Sequence, residues 1–340
     1  KVMPKARAAR VETRAAAVRE AVRDATRQAY VLVNDTDRRQ GHTHFGSETV
    51  VRTIREAARV RGYRLAGTVN TWQDLTHLLR AGTMPVDLVV LNGEGTMHSG
   101  NGALPSDLLD ACVAIKAQSN CRSALINSHW DLDERHSITL QNFDAVYLRD
   151  QASRQRLARH RTGGKISATV TPDISIAGFL DAFDGSTIGR DGCPFVMDSQ
   201  QPAESLALLE YAQISGIPFF TATGKSQDLI AGQVPCDVGS SAVGPVPRVF
   251  RLTDLTLGCG GLVTGRFHGA CLGIALDRPV VALRSKTAKI ESLFEDAGLG
   301  SGVLLPRDFS ELAPSDKRTA VSGCWAEWGP DQRASACAFR

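Results

Sequence analysis

Basic side chains that suit an anion follow two strand-like runs in the second half of the chain, at 261–265 and 279–283. After these runs come Arg266, His268, Gly269, Lys286 and Lys289. A helix of small residues begins after the first run, and a helix N-terminus presents unpaired N–H groups to an anion. Arginine adds a fork for carboxylate or phosphate, and histidine transfers protons near neutral pH. The pattern predicts an anion site, with the alternative that arginine and histidine only complete the turn.

A second group of polar residues follows four strand-like runs in the first half of the chain. Its members are Asn34, Asp35, His44, Asn92, Gly93, Glu94, His98, His129 and Trp130. Because carboxyl ends of neighbouring parallel strands meet at one edge of a sheet, these residues are expected to line one wall of a cleft. Glu94 is the candidate base for an acceptor hydroxyl, with His44 or His129 beside it. The alternative is that Ser47 caps a helix, the glycines form a turn and the histidines bind backbone.

A metal site is the less favoured interpretation of the histidines. His42 and His44, with His98 or Glu94, would supply ligands, but the His-Thr-His segment is a loop flanked by glycine. No cysteine or carboxylate stands at metal-ligand spacing, and we expect no metal. The chain also lacks a P-loop, a G-x-S-x-G elbow and a complete dinucleotide fingerprint, so no cofactor is expected.

The elements that position these residues alternate regularly between short apolar strands and helical segments. Continuous apolar strands separated by helices are typical of parallel sheets covered on both faces. We predict an α/β protein with two doubly wound, Rossmann-like domains facing a cleft, a GT-B-like plan. The parts are a basic helix (1–28), an acceptor-side domain (29–177), a donor-side domain (193–313) and a tail packing back on the body (314–340), with a linker at 178–192.

Composition and charge narrow the function classes. Of the 340 residues, 43% are hydrophobic and 22% charged, and no apolar run is long enough to cross a bilayer. Residues 1–28 hold eight Lys and Arg against three Asp and Glu and lack the apolar segment of a signal peptide. The folded body shows no basic stripe with aromatics, so no nucleic-acid partner is expected. Eight cysteines without a C-x-x-C pair suit a reducing compartment, and we expect a soluble, cytoplasmic protein.

The basic segment has two open interpretations. It is an amphipathic helix that docks on the body or on a partner subunit of a homo-oligomer. Alternatively, it makes a peripheral contact with the anionic lipid of a membrane surface.

Three stretches resemble the polysaccharide pyruvyl transferases in order and spacing. Arg-Phe-His-Gly-Ala at 266–270, before a proline-led strand and a lysine, is similar to the family's Arg-Leu-His-Ala segment. The strand and glycine turn at 87–96 resemble another family element. So do Arg149-Asp-x-x-Ser and the later Asp173. The resemblance covers about 34–299. The chain departs from the family pattern at 42–47 and 93–96, where His-Thr-His-Phe-Gly-Ser and Gly-Glu-Gly-Thr replace an Asn-x-Gly and three glycines.

The resemblance implies an enzyme that moves pyruvyl from phosphoenolpyruvate to two hydroxyls of a sugar in a surface glycan or its lipid-linked precursor. It implies that Arg149, Arg266 and His268 hold the donor, with His268 as the acid and Lys286 or Lys289 assisting phosphate. One alternative is a glycosyltransferase of the same architecture that uses a nucleotide-activated sugar, such as a CMP-linked acidic one. Another is a binding module without catalysis.

Overall fold

The computed structural model describes residues 28–39, 41, 44–80, 86–182, 194–222, 243–244, 260–301 and 303–328. The predicted basic helix lies outside these residues, except for Gln28, which begins the first strand. The run at 248–252, which predicts a strand, and the segment at 255–259, which predicts a helix, also lie outside them.

The N-terminal half forms a six-stranded parallel sheet in the order β2-β1-β3-β4-β5-β6. Its strands are β1 Gln28–Val33, β2 Tyr63–Val69, β3 Leu88–Asn92, β4 Arg122–Ser128, β5 Ala145–Leu148 and β6 Ala168–Val170. The central strands are rich in buried valine and leucine, the composition that favours a sheet covered on both faces. Apolar runs at 30–33, 63–69, 87–91, 123–126, 145–148 and 168–170 predict six strands in this half of the sequence, and all six are confirmed.

Helices cover both faces of this sheet. They are α1 Thr36–Arg39, α2 Phe45–Val60, α3 Trp72–Arg80, α4 Leu104–Ser119, α5 Glu134–Leu140, α6 Gln151–Arg159 and α7 Ile174–Asp181. Helix α7 packs on α2 and on a helix of the C-terminal half. The predicted linker is wrong at its start, because 178–181 continue α7 instead of leaving the sheet domain.

The C-terminal half forms a five-stranded parallel sheet in the order β11-β10-β7-β8-β9. Its strands are β7 Phe195–Ser199, β8 Phe219–Phe220, β9 Val243–Gly244, β10 Leu262–Gly265 and β11 Val280–Ala282. Its helices are α8 Pro202–Ser215, α9 Phe267–Ala275, α10 Lys289–Asp296 and α11 Pro314–Glu327. Helix α11 buries Val321 and Cys324 in the same cluster as Leu208 of α8.

The strand order reverses once in each sheet, and these reversals position the site. In the first sheet the chain leaves β1 for β2 on one side and reaches β3 on the other; in the second, β7 occupies the corresponding place between β8 and β10. Ligands of such sheets bind beyond the carboxyl ends of the strands at the reversal. The residues that follow β1, β3, β7 and β10 therefore occupy the places where a ligand is expected.

The described helices do not include one with the length and apolar character needed to cross a membrane. The described cysteines, Cys112, Cys121, Cys271 and Cys324, are buried free thiols.

Candidate active site

The reversal of the C-terminal sheet holds a buried ion pair. Arg266 immediately precedes α9, and its Nε and Nη2 donate to the two carboxylate oxygens of Asp198, at 3.0 and 2.5 Å. Asp198 lies at the end of β7 and is fully buried. The pair joins the ends of β7 and β10 and fixes the start of α9.

His268, on the first turn of α9, crosses to the N-terminal domain. A methyl group added at Gly46 would lie 2.2 Å from Cγ of His268, so the ring packs directly on the start of α2. His268 is 7% exposed, and its Nε2 has no hydrogen-bond partner within the described residues. This nitrogen lies 3.6 Å from Oε1 of Glu94. The two predicted catalytic residues therefore face each other across the domain boundary.

The pKa of His268 is lowered to about 4. Burial is the largest cause, and Arg149, Lys289 and Arg266 act in the same direction against Asp173. The imidazole is therefore neutral near pH 7 when the site holds no ligand.

Glu94 is held by hydroxyl donors of the N-terminal domain. Ser47 Oγ donates to its Oε1 at 2.9 Å, and Thr36 Oγ1 donates to its Oε2. Asn92 contributes Nδ2 at 3.4 Å and accepts from the Glu94 backbone N–H. These contacts fix the carboxylate with Oε1 toward His268.

A second cationic group lies beside this pair. Arg149, 4% exposed, follows β5; its Nη1 donates to Asp173 Oδ2 at 3.1 Å and its Cζ lies 4.1 Å from the centre of the Phe267 ring. Among the described residues its Nε and Nη2 have no hydrogen-bond partner. Burial, then Arg149, lowers the pKa of Lys289 to about 8, while Glu94 and Asp173 oppose the shift. Arg149, His268 and Lys289 thus form one cluster, which we call the cation cluster.

His44 and Asp35 are placed near Glu94 but are engaged by other groups. His44 caps α2, and its Nδ1 accepts from the N–H groups of Gly46 and Ser47. Burial, then His268, lowers its pKa to about 3. Asp35 is fully buried and pairs with Arg55 at 2.6 Å. Both therefore act first as parts of the scaffold.

Among the residues predicted to bind an acceptor, Asn34 and Asn92 join strand ends and His98 is partly exposed. Asn34, in the left-handed region at φ 64°, donates to Asn92 O and Thr96 Oγ1, which ties the ends of β1 and β3 together. His98 is partly exposed on the cleft side; burial, then Lys289, lowers its pKa.

His129 and Trp130 are buried behind the cleft wall. His129 Nδ1 contacts Asp150 Oδ2 at 2.8 Å and its Nε2 contacts Arg156 at 3.2 Å, so both ring nitrogens are occupied. Trp130 belongs to the core of the first sheet.

The predicted glycines serve packing, and one predicted lysine lies elsewhere. A methyl group at Gly93 would lie 2.6 Å from Ser128 Cβ, and one at Gly269 would lie 2.5 Å from Thr264 Oγ1. Lys286 is exposed and lines a cavity that includes no residue of the cation cluster.

The sequence did not predict four residues of the site, which are Asp198, Phe267, Thr36 and Ser47. A buried aspartate ending the apolar run Phe-Val-Met was the available signal for Asp198.

Comparison with solved structures identifies the architecture. UDP-GlcNAc 2-epimerase from Methanocaldococcus jannaschii shares 9% identity over 92% of this chain and 98% of that one, with a TM-score of 0.52. The S. aureus MnaA structure with UDP shares 11% identity over 90% of this chain and 94% of that one, with a TM-score of 0.53. A trehalose-6-phosphate synthase, OtsA, shares 11% identity over 92% of this chain and 95% of that one, with a TM-score of 0.53. None of the curated proteins matches the chain in sequence.

Two Rossmann-like domains, each built on a parallel sheet, give the chain the GT-B architecture of these structures. Residues 15–287 match the family described as polysaccharide pyruvyl transferase. The chain belongs to the polysaccharide pyruvyl transferase family.

Proposed function

We propose that the protein transfers a pyruvyl group from phosphoenolpyruvate to two hydroxyls of a sugar in a cell-surface polysaccharide or its precursor, forming a cyclic ketal. One observation carries the proposal: in the described part of the chain, Nε and Nη2 of Arg149 and Nε2 of His268 are buried and have no hydrogen-bond partner. A buried polar group without a partner costs about 1–3 kcal/mol. An anionic ligand with several acceptor oxygens removes that cost at all three atoms.

Phosphoenolpyruvate matches the cluster in charge and in shape. Its planar carboxylate fits the fork formed by the two unpaired nitrogens of Arg149. Its phosphate fits Lys289 and the first N–H groups of α9, which carry a partial positive charge. Asp198 holds Arg266 at the start of that helix, so Arg266 supports the phosphate through the backbone it fixes.

In the proposed reaction the donor's methylene carbon accepts a proton and C2 becomes cation-like. The first sugar hydroxyl loses its proton to a base and bonds to C2. The C–O bond to phosphate then breaks, and the second hydroxyl closes the ketal as its proton is lost. The products are the ketal and inorganic phosphate.

His268 is the proposed acid and Glu94 the proposed base. The donor's negative charge opposes the cations that lower the His268 pKa, so binding favours protonation of the ring. Glu94 Oε1 already faces that ring at 3.6 Å, which places a proton acceptor beside the proton donor. No metal or cofactor is part of the proposed mechanism.

The setting of the reaction belongs to the same proposal. We infer a cytoplasmic enzyme acting on a glycan or lipid-linked glycan acceptor, and the buried free cysteines agree with a reducing compartment. Contact of the basic segment 1–28 with a membrane, or with a second copy of the chain, is proposed from its charge alone.

The test is release of inorganic phosphate from phosphoenolpyruvate in the presence of a panel of sugar acceptors, with the pyruvylated product identified by mass. We expect phosphate release that requires an acceptor and yields one ketal per phosphate. Release without an acceptor, or a product without the pyruvyl group, would contradict the proposal.

A further inference from the structure

The guanidinium group of Arg149 is held by one side chain from each domain. In the N-terminal domain, its Nη1 donates to Oδ2 of Asp173 at 3.1 Å, and both side chains are buried. From the C-terminal domain, the ring of Phe267 lies against its face, with Cζ 4.1 Å from the ring centre. A guanidinium group held at one nitrogen can still turn about that hydrogen bond, whereas a second contact on its face fixes the plane of the group.

These two contacts use the face and one nitrogen of Arg149 but not the edge formed by Nε and Nη2. Both nitrogens of this edge are buried, and within the described residues neither has a hydrogen-bond partner. An edge with two parallel N–H donors matches a carboxylate, which accepts both bonds in the plane of the guanidinium group. The tilt of that plane therefore decides whether a carboxylate can bind.

The backbone around Phe267 keeps its ring in place. Phe267 is the first residue of α9 and follows Arg266, whose side chain is bound by the buried Asp198 near the end of β7. The next residue, His268, is buried as well, and its ring meets the Phe267 ring in a T-shaped contact with centres 5.4 Å apart. Because both neighbours are fixed, the Phe267 ring offers Arg149 a surface of constant orientation.

The surroundings make the contact between Phe267 and Arg149 strong. An arginine is attracted to the face of an aromatic ring, and the attraction grows when water is excluded. Arg149 is 4% exposed, and Phe267 packs partly buried against the hydrophobic cluster of the C-terminal domain. The Arg-Leu-His-Ala segment of the family has leucine at the place of Phe267, and leucine has no aromatic face. The stack therefore does not follow from the family motif.

We propose that Phe267 is a positioning residue for Arg149: from the opposite domain it sets the plane of the guanidinium group, so that the Nε and Nη2 edge meets the donor's carboxylate. The inference rests on the proposed function, because it concerns the donor of that reaction. It also means that the carboxylate-binding edge is fully ordered only when the two domains are in contact. Donor binding and domain contact then favour each other, as linked equilibria must.

Calorimetric titration of the full chain with phosphoenolpyruvate tests this role. Phe267→Leu removes the aromatic face and keeps an apolar side chain. We expect the affinity to fall about two- to tenfold, because the ligand must then immobilise the arginine side chain itself. Phe267→Tyr keeps the ring and should restore most of the affinity.

Phe220→Leu is the matched control for the loss of an aromatic side chain. Phe220 is partly buried against the same hydrophobic cluster as Phe267, and its ring meets that of Phe195 in a T-shaped contact. This variant should bind phosphoenolpyruvate as the wild type does. A loss in Phe220→Leu equal to that in Phe267→Leu would show a general packing effect and overturn the inference.

A double-mutant cycle shows whether Phe267 acts through Arg149. In the Arg149→Lys background the two-nitrogen edge is already lost, so Phe267→Leu should weaken binding little further. Equal losses in the two backgrounds would contradict the positioning role. Unchanged affinity in Phe267→Leu, or the same loss in Phe267→Tyr as in Phe267→Leu, would contradict it as well.

Failure of the proposed donor gives a different result. If the wild type does not bind phosphoenolpyruvate, the proposed function fails, and denaturant unfolding of the same cycle of variants decides the positioning role. A loss of stability in Phe267→Leu that becomes smaller in the Arg149→Lys background supports the stack, whereas additive losses overturn it.

Discussion

At the scale of single residues, the proposed chemistry depends on two groups that approach each other from different domains. Glu94 is oriented by Ser47, Thr36 and Asn92, and His268 is buried with an Nε2 that has no hydrogen-bond partner among the described residues. Each group is held by its own domain, so removing either tests one role without removing the other.

Replacing Glu94 with glutamine should spare donor binding and slow transfer. Glutamine has nearly the same shape and keeps an oxygen for Ser47, but it does not accept a proton. We expect kcat to fall about 10²- to 10⁴-fold. Steady-state kinetics and calorimetry with phosphoenolpyruvate measure the two effects, with exposed Glu56→Gln as control. Full turnover in Glu94→Gln would remove this residue from the mechanism.

The buried histidines predict a loss of stability in mild acid. The folded-state pKa of His268 is about 4 and that of His44 about 3, both below the ordinary value of 6.5. Between pH 6.5 and 4 the unfolded chain binds more protons, so stability is full above pH 6.5 and falls with falling pH. Between pH 7 and 4.5, the free energy of unfolding should fall in both proteins. The fall should be roughly 1 to 3 kcal/mol smaller in the His44→Asn/His268→Asn variant than in the wild type.

Denaturant unfolding at a series of pH values measures this difference. His77→Asn is the matched control, because His77 is exposed and its replacement should leave the wild-type pH dependence unchanged. Parallel pH curves for the wild type and the double variant would show that the two rings are not buried in the neutral form.

At the scale of elements, the start of α2 and the start of α9 meet at Gly46. A methyl group there overlaps the His268 ring, and overpacking of this kind costs about 1–3 kcal/mol. Gly46→Ala should therefore lower both stability and kcat, because one of the two helix ends must move away from Glu94. Denaturant unfolding and turnover measure the two losses.

Gly323 supplies the opposite case within a helix. It is exposed in α11, and a methyl group there meets no atom within 4 Å. Gly323→Ala should raise the free energy of unfolding by about 0.5–1 kcal/mol, the ordinary preference of a helix for alanine, without changing turnover. Destabilisation by both changes, or by neither, would contradict the packing described at Gly46.

The sequence predicts these elements better than it predicts their contacts. The strands of the first sheet follow from local runs such as Leu88–Leu91, in which burial on both faces is visible in the residue types. His268 against Gly46 joins residues more than two hundred positions apart, and no local pattern reports it. His129 shows the converse: a histidine after a strand suggested a ligand contact, yet Asp150 and Arg156 occupy both ring nitrogens.

At the scale of the whole molecule, the proposed donor site is shared between the domains. Arg149 and Asp173 come from the N-terminal half, while His268 and Lys289 come from the C-terminal half. The domains also meet where Gln151 N–H, at the start of α6, donates to Asp296 Oδ2 at the end of α10 at 2.9 Å. Because α10 begins with Lys289, this contact helps hold the cation cluster together.

The central claim is that the cation cluster binds phosphoenolpyruvate, and calorimetry of this ligand beside CMP, UDP and GDP tests it most directly. We expect saturable binding of phosphoenolpyruvate that weakens about tenfold or more in Arg149→Lys and His268→Asn, since each variant loses a charge-assisted contact. Arg154→Lys and His77→Asn should bind as the wild type does. Unchanged affinity in Arg149→Lys and His268→Asn, or binding of a nucleotide with none of phosphoenolpyruvate, would contradict it.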